Sequence, residues 1–186
     1  MALRSKGWTH YKHIGGVAFF AVSLFLSGCT SGEQFKKIHV VERPAYIYSE
    51  ALKRNITVVG VTGGAENSPL WLSRISDNVL NTALTNTLKS QGLFSEAGRY
   101  RLTLQMMDMA SPSLAENTKA SARINYMLMD TVTKRIVLNE DIISDYTVLY
   151  AENPIAPYRR KTANEKAIQQ NFKILLERLS QRYFSY

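Results

Sequence analysis

The tetrapeptide Leu26-Ser27-Gly28-Cys29 constrains this chain most, because it decides how much of the sequence is left to fold. Ahead of it lie Arg4, Lys6 and Lys12 with no acidic residue, then an apolar run from Ile14 to Leu26. A helix needs roughly 18 or more apolar residues to cross a bilayer, so this shorter run reads as the core of an export signal. Small residues at Ser27 and Gly28 leave the bond before Cys29 open to a peptidase, and the thiol of Cys29 is the atom that carries a diacylglycerol. Cys29 is also the only cysteine. The expectation is a signal peptide over residues 1–28, a lipidated tether over 29–54, and one periplasmic domain over 55–186. The lipidation site is Cys29, which receives a covalent diacylglycerol and an N-acyl chain.

The length from residue 29 onward suits one domain with a core of its own. With Cys29 acylated, no thiol remains for a disulfide or a metal site. Of the three histidines, His10 and His13 leave with the signal and His39 sits in the tether, so a His/Cys metal centre is not expected. Three of the 23 basic residues and none of the 15 acidic ones are removed, so the formal charge falls from +8 to +5. The remaining charges are spread along the chain, and nucleic acid is not an expected partner.

The pattern of the mature part alternates between two periods. The tether holds a β-prone Ile38-His39-Val40-Val41 and is expected to add at most an edge strand. Asn55 to Val61 is apolar and β-branched and runs into Thr62-Gly63-Gly64, as a buried strand followed by a turn does. Ser68-Pro69 is expected to open a helix, whose apolar face is Leu72, Ile75, Val79, Ala83 and Leu88, and Gly92 is placed to end it. Tyr100, Leu102, Leu104 and Met106 alternate with polar residues, the period of a strand with one wet face. Ser121–Asp130 and Arg135–Tyr150 form an expected hairpin. Ala151–Lys161, with Pro154 and Pro157, reads as a loop that ends in a capping box at Thr162-Ala163-Asn164-Glu165. Ala167, Ile168, Asn171, Phe172, Leu175, Leu179 and Tyr183 then keep helical spacing. The expected fold is α+β: an antiparallel or mixed sheet of about four strands, with two helices packed on one face.

Three patterns bear on chemistry. Gly60-Val61-Thr62-Gly63-Gly64 stands between a strand and a helix but lacks the lysine of a phosphate loop. Glu140, Asp141 and Asp145 share one strand, with Asp141 and Asp145 on one face, and a charged sheet surface explains them without acid–base work. His39 in a tether lacks the rigid support a triad requires. No catalytic residue and no cofactor other than the acyl groups are expected, and the protein is not expected to be an enzyme. Partner binding is expected at Tyr158, Arg159, Arg160 and Lys161, the densest basic run of the mature chain, beside aromatic residues suited to an interface.

Gly92-Leu93-Phe94 after the first helix, the Tyr-x-Leu strand, and Tyr158-Arg159-Arg160-Lys161-Thr162-Ala163-Asn164-Glu165-Lys166-Ala167 with Asn171-Phe172 resemble a set of small proteobacterial envelope lipoproteins over about residues 55–180. In architecture the chain is similar to the lipopolysaccharide-assembly lipoprotein and to the auxiliary lipoproteins of lipid-transporting ABC systems. That resemblance implies a non-catalytic binding or assembly subunit in a cell-envelope complex, with lipid or lipopolysaccharide handling as the alternative. Thr30 and Ser31, where enterobacterial lipoproteins retained at the inner membrane have an Asp behind the cysteine, imply the periplasmic face of the outer membrane. The implied partners are an envelope protein complex, the membrane through the lipid, and lipopolysaccharide or phospholipid.

Overall fold

A computed structural model describes residues 38–40, 46–64, 75–110, 116–182 and 184. The chain divides into Met1–Thr30, outside the described residues, and a unit from Ser31 to Tyr186 that holds every described residue. Residues 1–28, expected to be a signal peptide, and Cys29 are therefore not described. Among the described residues, no helix is long and apolar enough to cross a membrane.

Four strands, β1 (Ile56–Thr62), β2 (Tyr100–Ala110), β3 (Thr118–Asp130) and β4 (Ile136–Val148), form one sheet in the order β1-β2-β3-β4. β1 runs parallel to β2, and the other pairs are antiparallel, so the sheet is mixed. α1 (Asp77–Ser90) provides the crossover that parallel pairing demands, and α2 (Ala156–Gln181) follows β4. α1 packs on β1, and α2 packs on β3 and β4. The expected α+β fold, with both helices on one face, is the one observed.

Alternation assigns the faces. In β3, every second residue from Thr118 to Asp130 is buried under the helices, while Lys119, Arg123, Asn125 and Met127 line the open face. β2 obeys the same period up to Met106. There the register slips between Met106 and Asp108, which leaves Met107 half exposed. Val59 is exposed at a similar irregularity in β1.

The strand-to-helix turn is glycine-dependent for a steric reason. Gly63 has φ +84°, and a Cβ there would lie 2.1 Å from the Met106 carbonyl oxygen. The Gly64 N–H donates to Asp77 Oδ1 at 2.6 Å, so a carboxylate of the chain itself occupies the position where a phosphate loop would hold its anion. α1 starts at Asp77, with Ser76 extended as N-cap and its hydroxyl accepting from the Val79 N–H. Ser68, Pro69 and Leu72, expected at its start, lie outside the described residues, and Ile75, expected on its apolar face, precedes the helix. Its end is as expected: Gly92 at φ +71°, with Leu93 N–H to Leu88 O and Gly92 N–H to Lys89 O, closes the helix in a Schellman motif.

Two expectations are corrected. The stretch read as a tether carries docked residues. Ile38 and Val40 are buried, Val40 N–H donates to Thr87 Oγ1 of α1, Ser90 Oγ donates to Val40 O, and Gln169 Nε2 of α2 donates to His39 O. Residues 38–40 are thus a strap across the two helices and not an edge strand. Tyr48, Ala51 and Leu52 complete the core below it. The second correction concerns α2, which begins at Ala156 and not at a capping box at 162–165. Pro157 is tolerated because the first-turn N–H groups have no intrahelical partner to lose. Thr162, Ala163, Asn164 and Glu165 lie inside the helix, the last three buried. α2 ends at Gln181, and Tyr183 is outside the described residues.

Candidate functional site

The space between sheet and helices is filled. Tyr126, Phe172, Leu175, Leu176, Leu104 and Leu80 are among the side chains with almost no exposure, and no buried side-chain polar atom among the described residues lacks a partner. At its centre Asn171, fully buried, accepts from the Tyr126 hydroxyl at 2.8 Å and donates to Ile142 O and Ser144 Oγ at 2.9 Å, with a longer contact to Ala122 O. Burial pushes the Tyr126 hydroxyl well above its ordinary pKa, so it stays neutral.

The described basins are shallow and lie at the end holding the start of β2 and the C-terminus of α2. One of about 400 Å³ is lined by Tyr100, Asp130, Thr133, Arg135, Arg182 and Phe184 among others. Its acidic member is engaged already: Arg99 grips Asp130 through two bonds of 2.8 and 2.7 Å.

The acidic cluster of β4 is a solvated surface. Asp141 pairs with Arg123 at 2.5 Å and accepts from Asn125 at 2.8 Å, and Asp145 pairs with Lys119 at 2.9 Å. The hydrogen bond from Asn125 and then Arg123 lower the pKa of Asp141, and Lys119 does so for Asp145. Both lie on the open face of the sheet, whereas His39 lies across the helices on the opposite side. The three are not brought together. Glu140 instead receives Arg178 from α2 and Arg182 just beyond its end, and Arg182 Nη1 also donates to Val137 O, which closes off part of the outer edge of β4.

The exposed apolar surface gathers where β4 turns into α2. Tyr146, Leu149, Tyr150, Ile155 and Tyr158 are 36 to 61% exposed within this short stretch. The turn that carries them, here called the knuckle, is pinned from inside. Arg159 is only 3% exposed; its Nε donates to Thr118 Oγ1 at 3.1 Å, its Nη1 donates to Asn153 O at 2.7 Å, and its guanidinium stacks 5.4 Å from the Tyr150 ring centre. Glu152 N–H and Asn153 N–H both reach Leu149 O, and Tyr150 N–H donates to Asn117 Oδ1.

The four residues expected to bind partners therefore divide. Tyr158 stands at the surface, and Arg160 and Lys161 are half-buried on the helix, Lys161 beside Glu165 at 3.8 Å. Arg159 is an internal strut. The sequence signal for this was available: Arg159 falls four residues before Ala163 on the stripe that continues through Ala167 and Asn171, once the helix is allowed to start before Pro157. Replacing Arg159 with Met should leave the fold intact but free the knuckle. Hydrogen exchange at Tyr150, Glu152 and Asn153 is expected to quicken by more than tenfold, equivalent to about 1.4 kcal/mol of local opening. Unchanged protection there would show that Arg159 is not the strut.

No protein-family model matches the chain, and no curated protein matches it in sequence. Solved structures do resemble it. A Xanthomonas campestris protein of the DUF330 family superposes with a TM-score of 0.56 at 12% identity, covering 76% of this chain and 91% of its own. A Chlamydia trachomatis protein of undescribed role gives 0.51 at 6% identity, over 70% of this chain and 99% of its own. At such identities the likeness is one of fold, and it spans nearly the whole of both relatives.

Proposed function

We propose that the chain is a lipid-anchored, non-catalytic subunit of a cell-envelope assembly, held by acylated Cys29 at the periplasmic face of the outer membrane. The observation that carries this reading is the filled interlayer. A protein that carries a lipid acyl chain inside itself needs an apolar cleft of several hundred cubic ångströms, and here that space holds Tyr126, Phe172 and the leucines of both helices. Binding is left to the exterior, where the open face of the sheet and the knuckle offer preformed surface. The knuckle is ordered by its own hydrogen bonds, so docking there costs little additional entropy. Asp141, whose pKa is lowered by Asn125 and then Arg123, and Asp145, whose pKa is lowered by Lys119, form a solvated charged surface, which supports a non-catalytic role.

Handling of lipid or lipopolysaccharide is the second reading, and the basin beside Arg135 and Arg182 favours it, since two guanidinium groups near Tyr100 and Phe184 suit an anionic headgroup. One experiment separates the two. The full-length protein is drawn from its native envelope in detergent, with a Cys29→Ala control, and both protein and lipid are read by mass spectrometry. Stable protein partners at near-stoichiometric amounts are expected. Phospholipid or lipopolysaccharide at that level without protein partners would replace the assembly reading with lipid handling.

A further inference from the structure

The sheet has two outer edges, and they differ. β1 is seven residues long, its Ile56 N–H and carbonyl are taken by Leu93 O and the Ser95 N–H, and its register slips between Val58 and Gly60. β4 is thirteen residues long. In an antiparallel pair successive residues point their N–H and C=O groups alternately to the partner and away, so about half of the β4 backbone faces outward. Arg182 closes the start of that edge, through Val137 O and Glu140. Among the described residues, the stretch from Asp141 to Thr147 has no strand beside it on the outer side.

The side chains along this stretch follow a fixed order. Asp141, Ile143 and Asp145 share the open face, with Ile143 61% exposed between the two carboxylates. Arg123 and Lys119 reach Asp141 and Asp145 from β3, on the inner side. A strand added on the outer side would set its directly opposed side chains about 5 Å away. Carboxylate oxygens have lone pairs for more than one donor, so a second cation can be taken there. An acidic side chain would instead meet like charge at the same distance. A second copy of this chain is refused on that ground: β4 paired antiparallel with itself about Ile143 sets Asp141 and Asp145 of opposite copies against each other.

We propose, on the assembly reading above, that this edge takes up an extended segment of a partner protein as a fifth strand, and that the segment carries a basic, an apolar and a basic residue at successive alternate positions. Its backbone supplies the N–H and C=O groups that pair with the outer side of β4, which gives affinity without regard to sequence. Specificity comes from three positions on the open face. The apolar residue covers Ile143, and the two basic residues face Asp141 and Asp145. The same two carboxylates thus keep β4 from pairing with its own kind and select the strand that it accepts.

The probe is an end-blocked peptide, Thr-Thr-Lys-Thr-Val-Thr-Lys-Thr-Thr, and its control has Glu in place of both Lys. Binding to the full-length protein in non-ionic detergent is read by fluorescence anisotropy, and hydrogen exchange locates it. The Lys peptide is expected to bind about tenfold more tightly than the Glu peptide. It should slow exchange within residues 139–147 and not along β1. In the double variant Asp141→Asn, Asp145→Asn the preference should fall below about threefold. The ion pairs lost there are solvent-exposed and contribute little to folding, so the variant keeps its structure. Equal binding of both peptides, binding of neither, protection confined to another surface, or a preference that survives in the variant overturns the proposal. Partners recovered in the native pull-down without protection of β4 by the peptide reject this edge and leave the assembly reading standing, so the two fail separately.

Discussion

Asn171→Leu is expected to lower folding stability by about 3 kcal/mol, although leucine has the same branched heavy-atom skeleton as asparagine and is the better helix former. The loss comes from what the amide satisfies. Its oxygen is the acceptor for the Tyr126 hydroxyl, and its nitrogen serves Ile142 O and Ser144 Oγ, all in a fully buried space. Leucine leaves the hydroxyl without an acceptor, and each orphaned buried group costs about 1 to 3 kcal/mol. Tyr126→Phe removes one member of the same network and should cost less, about 1 kcal/mol. In the double variant the two losses should not add, because the hydroxyl is no longer there to be orphaned. Urea unfolding of the two single variants and the double variant decides the matter. Strict additivity would mean that Asn171 and Tyr126 act independently and that the network is not the source of the loss.

Asp130→Asn is expected to cost about 2 to 3 kcal/mol at neutral pH, and the cost should fade in acid. Asp130 sits at the β3–β4 turn with its carboxylate buried. Both its oxygens are bound by Arg99, and it accepts further from Val132 N–H and the Thr133 hydroxyl. The bond from Arg99 is the largest influence, and the backbone bond from Val132 and the hydroxyl of Thr133 add to it; together they hold the carboxyl well below the usual carboxylate range. Because the folded pKa is lowered, the stabilisation is fully present above the unfolded value near 3.9 and is lost as pH falls from there through the folded value. The native protein should therefore lose stability below about pH 4 more steeply than Asp130→Asn, and the gap between them should narrow. Chemical unfolding at pH 3, 5 and 7 measures this. A gap that stays constant down to pH 3 would show that the asparagine fails for reasons of shape and not of charge.

Much of the architecture follows from neighbours along the chain. The period-2 run from Tyr100 to Met106 builds a strand with one buried face, and the interface it makes is the one observed. Gly92 ends α1 because αL backbone at that point is nearly free of strain for glycine and not for other residues. The order of strands and helices, with an apolar stripe on each helix, leaves few arrangements besides two helices on one face of a four-stranded sheet. These features depend on spacings of two to five residues, which is the range over which sequence patterns carry information.

What the tertiary structure decided lies at longer range. Arg159 reads as part of a basic surface run, yet its partner Thr118 is 41 residues away, and only the closing of β3 against α2 buries its charge among acceptors. The strap reads as a tether because Ile38 and Val40 have no periodic neighbours, while Thr87 and Gln169, which hold it, come from two different helices. Asn171 was visible as one polar residue on an apolar stripe, but the three groups it serves sit on β3 and β4. A hydrogen bond that costs little to exchange with water becomes decisive once burial removes the water, and which groups are buried together is settled only when distant segments pack.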